Sequence, residues 1–208
     1  MFIFPNNVQD WTILILEILG TMAFSASGAS VAISKKMDLF GVCTLGAATA
    51  VGGGIIRDIV LDKFPPAAFI NPIYLVVAFI VSLFVFFFSG SKISSLAKKI
   101  YSLVDAVGLA VFSIVGAINA IESNNLFLIV FVGVITGVGG GMLRDIFAGR
   151  IPIIFQSDVY ATASLTGVLI FASLYRLNGY VAAGVGSSII LVIRILAIRF
   201  NLSLPRKK

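Results

Sequence analysis

GAATAVGGGIIRDIVLDKFP, residues 46–65, decides the fold, because it returns as GVITGVGGGMLRDIFAGRIP at residues 133–152. Gly46 and Gly133, Thr49 and Thr136, Val51 and Val138, Ile59 and Ile146, and Pro65 and Pro152 are identical between the copies. So are the triplets Gly52-Gly53-Gly54 and Gly139-Gly140-Gly141 and the charged pairs Arg57-Asp58 and Arg144-Asp145. Each copy lies in an apolar run long enough to cross a bilayer, where a glycine triplet and a charged pair are both costly. A phosphate-binding loop is excluded, since no strand pattern precedes the triplet and no Lys-Ser/Thr follows it.

Outward from the copies the match continues. With one residue of shift, Glu17, Gly20, Phe24, Ser25, Gly28 and Ala29 align with Asp105, Gly108, Phe112, Ser113, Gly116 and Ala117. Beyond the triplets, Tyr74 and Tyr160 roughly correspond.

The 208 residues are 59% hydrophobic and 12% charged, with a mean hydropathy of +1.10. That is far more apolar than a soluble domain, and runs of about 20 apolar residues point to an all-α integral membrane protein rather than a β-barrel. With no His and only Cys43, a Ser-His-Asp triad and a His-ligated metal are excluded, and no enzyme chemistry, cofactor or structural metal is expected. The net charge of +6 implies no nucleic-acid partner, because the basic residues cluster in short connections and at the tail. In a membrane protein that pattern reports orientation.

Apolar runs read against polar interruptions give seven spans, at about 11–33, 39–61, 66–88, 102–121, 126–148, 155–175 and 179–200. The first starts too deep for a signal peptide and is expected to be retained as a helix. Pro65-Pro66 and Pro152 end the second and fifth spans, and Gly90 follows the third. The repeating unit is therefore three helices, 11–88 and again 102–175, followed by a seventh helix over 179–200 and a basic tail over 201–208 within one membrane domain. A unit of three spans enters the membrane from opposite sides in its two copies, so the halves form an inverted repeat.

One side of the membrane carries Lys35, Lys36, Lys92, Lys98, Lys99, Arg150, Arg199, Arg206, Lys207 and Lys208, the other only Lys63 and Arg176. This predicts an outside N-terminus and a cytoplasmic C-terminus. The basic clusters have a second reading, contact with anionic membrane lipid.

The glycine triplets fall roughly 12–15 Å deep, near the midplane. Glycine destabilises a helix by about 1 kcal/mol relative to Ala, so both helices are expected to kink or open there and expose carbonyls suited to a cation. Against this stands a close helix crossing with no further role. By the same depth reckoning Glu17 matches Arg57, and Asp105 matches Arg144, giving two acid–base pairs either side of the glycine layer. Neighbouring Arg57-Asp58 and Arg144-Asp145 are expected to look elsewhere for partners, since adjacent residues do not face each other on a helix. These charges either lock the fold or ring the mouths of a pore as a gate. Ser25, Ser113, Thr49 and Thr136 extend a small, polar stripe that lines a hydrated path or forms a packing seam.

The doubled GGGxxRD, the following prolines, the acids in the first and fourth helices and the added seventh helix resemble the prokaryotic branch of the trimeric intracellular cation (TRIC) channels, over about residues 10–200. The resemblance implies a homotrimer with a pore in each protomer, K⁺ and Na⁺ as transient ions, kinked second and fifth helices, and a prokaryotic plasma membrane. Animal members of that family carry a lysine-glutamate motif after the glycines that engages phosphoinositide; here Arg57-Asp58 and Arg144-Asp145 stand instead. Related prokaryotic sequences carry the label glycine transporter. A monovalent cation channel is thus the first expectation and a secondary transporter of a small zwitterion such as glycine the second.

Overall fold

The computed structural model describes residues 8–89, 95–156, 159–200 and 202. Gly90, Lys92, Arg206, Lys207 and Lys208, singled out above, lie outside the described residues, as does the side chain of Lys98. No strand occurs among the described residues. The helices are α1 (Val8–Ser34), α2 (Leu39–Val60), α3 (Ala67–Ile70), α4 (Ile73–Phe88), α5 (Ser95–Ala120), α6 (Leu126–Phe147), α7 (Ile153–Gln156), α8 (Ala161–Leu174) and α9 (Gly179–Phe200), with a 3₁₀ turn at Ile121–Ser123.

Five of these, in α1, α2, α5, α6 and α9, are long and apolar enough to cross a membrane. The stretches read as the third and sixth spans are each divided. At the first, Asn71 is extended, at φ −115° and ψ 100°, because the residue before Pro72 is pushed out of the helical region. A short α3 therefore precedes α4, and a short α7 precedes α8. At 16 and 14 residues, α4 and α8 run about 24 and 21 Å, less than the ~30 Å hydrocarbon core.

Helix starts follow from local chemistry. Asp38 caps α2 by accepting from Gly41 N at 2.7 Å, and Asn125 caps α6 by accepting from Leu128 N at 3.2 Å. Each satisfies an orphan N–H of a first turn. In the middle of the molecule α1, α2, α5 and α6 pack on one another; α4 covers α1 and α2, while α8 covers α5 and α6 and α9 covers α5 and α8.

Both glycine triplets lie within unbroken α-helix. The expectation of opened turns is corrected: an opened turn would strip backbone groups of their partners in a medium that supplies none. The missing side chains serve contact instead. A methyl group at Gly53 would overlap the Thr136 carbonyl oxygen, and one at Gly140 would overlap that of Thr49. The two helices cross backbone to backbone at the central glycine of each triplet, a close approach that only glycine permits. Phe24 and Phe112 pack beside this crossing with ring centroids 5.3 Å apart, each lying over a glycine of the other's helix, Gly108 and Gly20.

Candidate functional site

On either side of the glycine crossing sits a buried cluster of charge. In the first, Arg57 Nη1 donates to Glu17 Oε1 at 3.0 Å and Arg57 Nε to Asp58 Oδ1 at 2.8 Å. Tyr74 Oη donates to Glu17 Oε2 at 2.5 Å. In the second, Arg144 Nη1 donates to Asp105 Oδ1 and, at 2.5 Å, to Ser27 Oγ, while Nε donates to Asp145 Oδ1 at 2.8 Å. Depth-matched acids and arginines therefore meet across helices, α1 to α2 and α5 to α6.

The expectation for neighbouring residues is corrected in both copies. Arg57 and Asp58 bond to each other, as do Arg144 and Asp145. Both side chains stand in the last turn of their helix, where the guanidinium stem is long enough to fold back past the backbone to the next residue. The remaining carboxylate oxygens face the following loop: Asp58 Oδ2 accepts from Ala67 N and Asp145 Oδ2 from Ile153 N, each at 2.8 Å. Each Asp thus pins the first turn of the next short helix, an arrangement worth about 1 kcal/mol where such caps have been removed.

In this structure the hydroxyls of the polar stripe are bonded within the protein. Thr49 and Thr136 are fully buried and their hydroxyls return to the carbonyls of Leu45 and Val132, both at 2.6 Å. Ser25 Oγ donates to Ala78 O at 2.6 Å and bonds Ser82 at 2.9 Å; Ser113 bonds Ser164 at 2.7 Å. Buried hydroxyls satisfied by protein present little to a permeating ion. Gly52 and Gly139 meet the side-chain ends of Leu143 and Ile56. A methyl group at Gly54 would stand 3.8 Å from Arg57 Nη2, in ordinary contact, whereas one at Gly141 would stand 3.1 Å from Tyr160 Oη and 3.6 Å from Arg144 Nη2.

The clusters differ in ways the repeat conceals. Glu17 is one methylene longer than Asp105 and reaches both its arginine and Tyr74. Tyr160 lies in the field of Asp105, yet its hydroxyl makes no hydrogen bond of ordinary geometry with a described group, and neither does Arg144 Nη2. Tyr74→Phe is therefore expected to cost about 1.5–3 kcal/mol, the value of a hydrogen bond to a charged group. Tyr160→Phe should stay within about 0.5 kcal/mol of the parent. Thermal midpoints of the detergent-purified variants read this directly, and equal shifts would refute the asymmetry.

Each cluster opens onto a cavity. That beside Glu17, Arg57, Asp58 and Tyr74 is about 30 Å³, room for a water or two; that beside Asp105, Arg144, Arg150 and Arg194 is about 230 Å³ and lined with Ser27, Ser30 and Ser34. Sequence reasoning missed Arg194 and gave Arg150 only a topological role. Arg150 Nη2 donates to Asp145 Oδ1 at 2.6 Å. Arg194 is the one charge inside the 22-residue apolar helix α9 apart from Arg199 in its last turn, the kind of intramembrane residue that signals a site by default. Among the described residues no group of three His, Cys, Asp or Glu is placed to hold a metal ion.

A family model described as glycine transporter matches residues 14–90 and again 102–176. The UPF0126 inner membrane protein YadS of Escherichia coli is 42% identical over 194 residues, 91% of this chain and 93% of that protein. The UPF0126 membrane protein YvgT of Bacillus subtilis is 34% identical over 194 residues, 93% and 95% of the two chains. A structure described as the basis for conductance through TRIC cation channels superimposes with a TM-score of 0.84 at 42% identity, covering 93% of this chain and 96% of that one. The TRIC trimeric intracellular cation channel orthologue of Rhodobacter sphaeroides gives 0.86 at 34% identity, covering 92% and 99%.

Proposed function

The chain belongs to the prokaryotic TRIC channel family and is matched by the family model described as glycine transporter, and from that premise we propose that it is a plasma-membrane channel for monovalent cations, K⁺ and Na⁺. The observation that carries this reading is the pair of charge-lined cavities at opposite ends of one helix bundle, Glu17–Arg57 at one and Asp105–Arg144 at the other, with the Gly53–Gly140 crossing between them. An ion travelling from one cavity to the other must part that crossing. The carbonyls of Thr49 and Thr136 then stand where a partly dehydrated cation needs ligands. Gly52–Gly54 and Gly139–Gly141 form the constriction at which α2 and α6 bend to open, and the arginine pairs at the two mouths form the gate. The packed seam described above is the closed state.

The topology that fits this reading has seven crossings, with α3 and α4 together as the third and α7 and α8 as the sixth. Residues 11–88 and 102–175 are inverted copies, α9 the addition. Support comes from the double match of one family model and from the reciprocal contacts of Gly53 and Gly140. The excess of Lys and Arg at the Asp105 end supports a cytoplasmic location for that end. Three copies assemble, by similarity to the trimeric channel of Rhodobacter sphaeroides, with lipid around them.

Planar-bilayer recording of the purified protein in asymmetric KCl and NaCl is expected to give unitary currents that reverse toward the cation equilibrium potential. Silence together with saturable glycine uptake into proteoliposomes would overturn the channel in favour of a transporter. The 230 Å³ cavity holding Asp105 and Arg144 is the feature that suits such a zwitterion.

A further inference from the structure

The cavity at the Asp105 end contains a guanidinium that the pairings leave over. Arg194 enters from α9, is 4% exposed, and has no carboxylate within 4 Å among the described residues. Its Nε has no hydrogen-bond partner there either. Its guanidinium carbon sits 4.6 Å from the centroid of the Tyr160 ring, a stacking that holds the side chain without cancelling its charge.

The balance at the two mouths follows. Beside the small cavity stand two carboxylates, Glu17 and Asp58, and one guanidinium, Arg57. Around the large one, Asp105 and Asp145 face Arg144, Arg150 and Arg194. The Glu17 end is left with one negative charge and the Asp105 end with one positive. Without Arg194 the Asp105 end would be neutral, and α9 has no counterpart at the other mouth.

We propose that Arg194 sets the preferred direction of permeation: a fixed cation in one mouth only, it depletes permeant cations there and makes entry from the Glu17 end easier, so the channel rectifies. This rests on the channel reading above. A unit charge at about 8 Å in a water-filled mouth changes local cation concentration roughly two- to threefold. Loop lysines at the same end lie in bulk electrolyte and are screened within a Debye length, whereas a buried charge is screened mainly by ions that enter the cavity.

The test is single-channel recording in symmetrical KCl, reading the ratio of larger to smaller conductance at opposite voltages, which does not depend on the direction of insertion. At low salt the parent is expected to show a ratio of roughly three, falling toward one in about 1 M KCl as the cavity fills with counterions. Arg194→Gln should bring the low-salt ratio down to about half by raising the smaller current, and Arg194→Lys should restore it. An unchanged ratio in Arg194→Gln, an equal loss in Arg194→Lys, or parent rectification indifferent to salt each overturns the proposal; the last needs no variant to fold. Asp158, two residues before Tyr160, lies outside the described residues. If Asp158→Asn alone raises the ratio, Asp158 neutralises Arg194 and the proposal fails. A silent parent protein instead sinks the channel reading itself.

Discussion

Gly53→Ala and Gly140→Ala are each expected to destabilise the protein by about 2–3 kcal/mol or more, while Gly54→Ala within the same triplet is tolerated. The reason is what each new methyl group would strike. At Gly53 and Gly140 it meets a backbone carbonyl of the opposite helix, which cannot swing aside, so α2 and α6 must separate along their length. Overpacking of this kind costs about 1–3 kcal/mol even where side chains can adjust. At Gly54 the nearest atom is Arg57 Nη2, 3.8 Å away, and alanine's better helix propensity offsets any loss, by up to about 1 kcal/mol. Thermal unfolding in detergent, scored by loss of the folded peak in size-exclusion chromatography, separates the two classes. Equal behaviour of Gly53→Ala and Gly54→Ala would show that the triplet acts as a unit and that the backbone crossing is not where the tolerance ends. On the channel reading, the helices forced apart also predict a higher open probability in whatever fraction of Gly53→Ala still folds.

Arg144→Met should be the most destabilising single charge removal, at about 3–5 kcal/mol. It leaves Asp105, 4% exposed, with Ser27 as its remaining hydrogen-bond donor. Removing one partner of a buried ion pair costs about that much, because the other charge is left without it. The double variant Arg144→Met with Asp105→Asn should recover a substantial part of the loss, since the second change removes the stranded charge; the interaction energy of the cycle is the quantity to measure. Arg57→Met is expected to cost clearly less, because Glu17 is 12% exposed in its side chain and keeps Tyr74. A cycle giving no coupling would mean that Asp105 and Arg144 are satisfied independently, through Ser27 and Asp145.

Depth along a helix is linear arithmetic, and it was legible: six residues into one span and five from the end of another brings Glu17 level with Arg57, and the ions pair. Direction around a helix is not. The sequence shows three glycines in a row and cannot say that the middle one meets the opposing backbone while its neighbours face a leucine or a cavity. That depends on how α2 and α6 are rotated when they pack. The bond between Arg57 and Asp58 escaped for a related reason: the rule that neighbours diverge describes short side chains along a helix, and a guanidinium at a helix end has the reach to break it. The division at Asn71 could have been read from Pro72. Arg194 stands in α9, which has no counterpart in the other half, so the repeat carries no mark of it.

The carboxylate of Asp58 has one oxygen on the Arg57 guanidinium and the other on the first turn of α3, and Asp145 joins Arg144 to α7 in the same manner. Each is a two-armed rivet between the interior of the bundle and a short helix at its rim. Phe69, on α3, is 65% exposed. Neither α3 nor α7 can shift against the bundle without breaking a carboxylate hydrogen bond or drawing the neighbouring arginine with it.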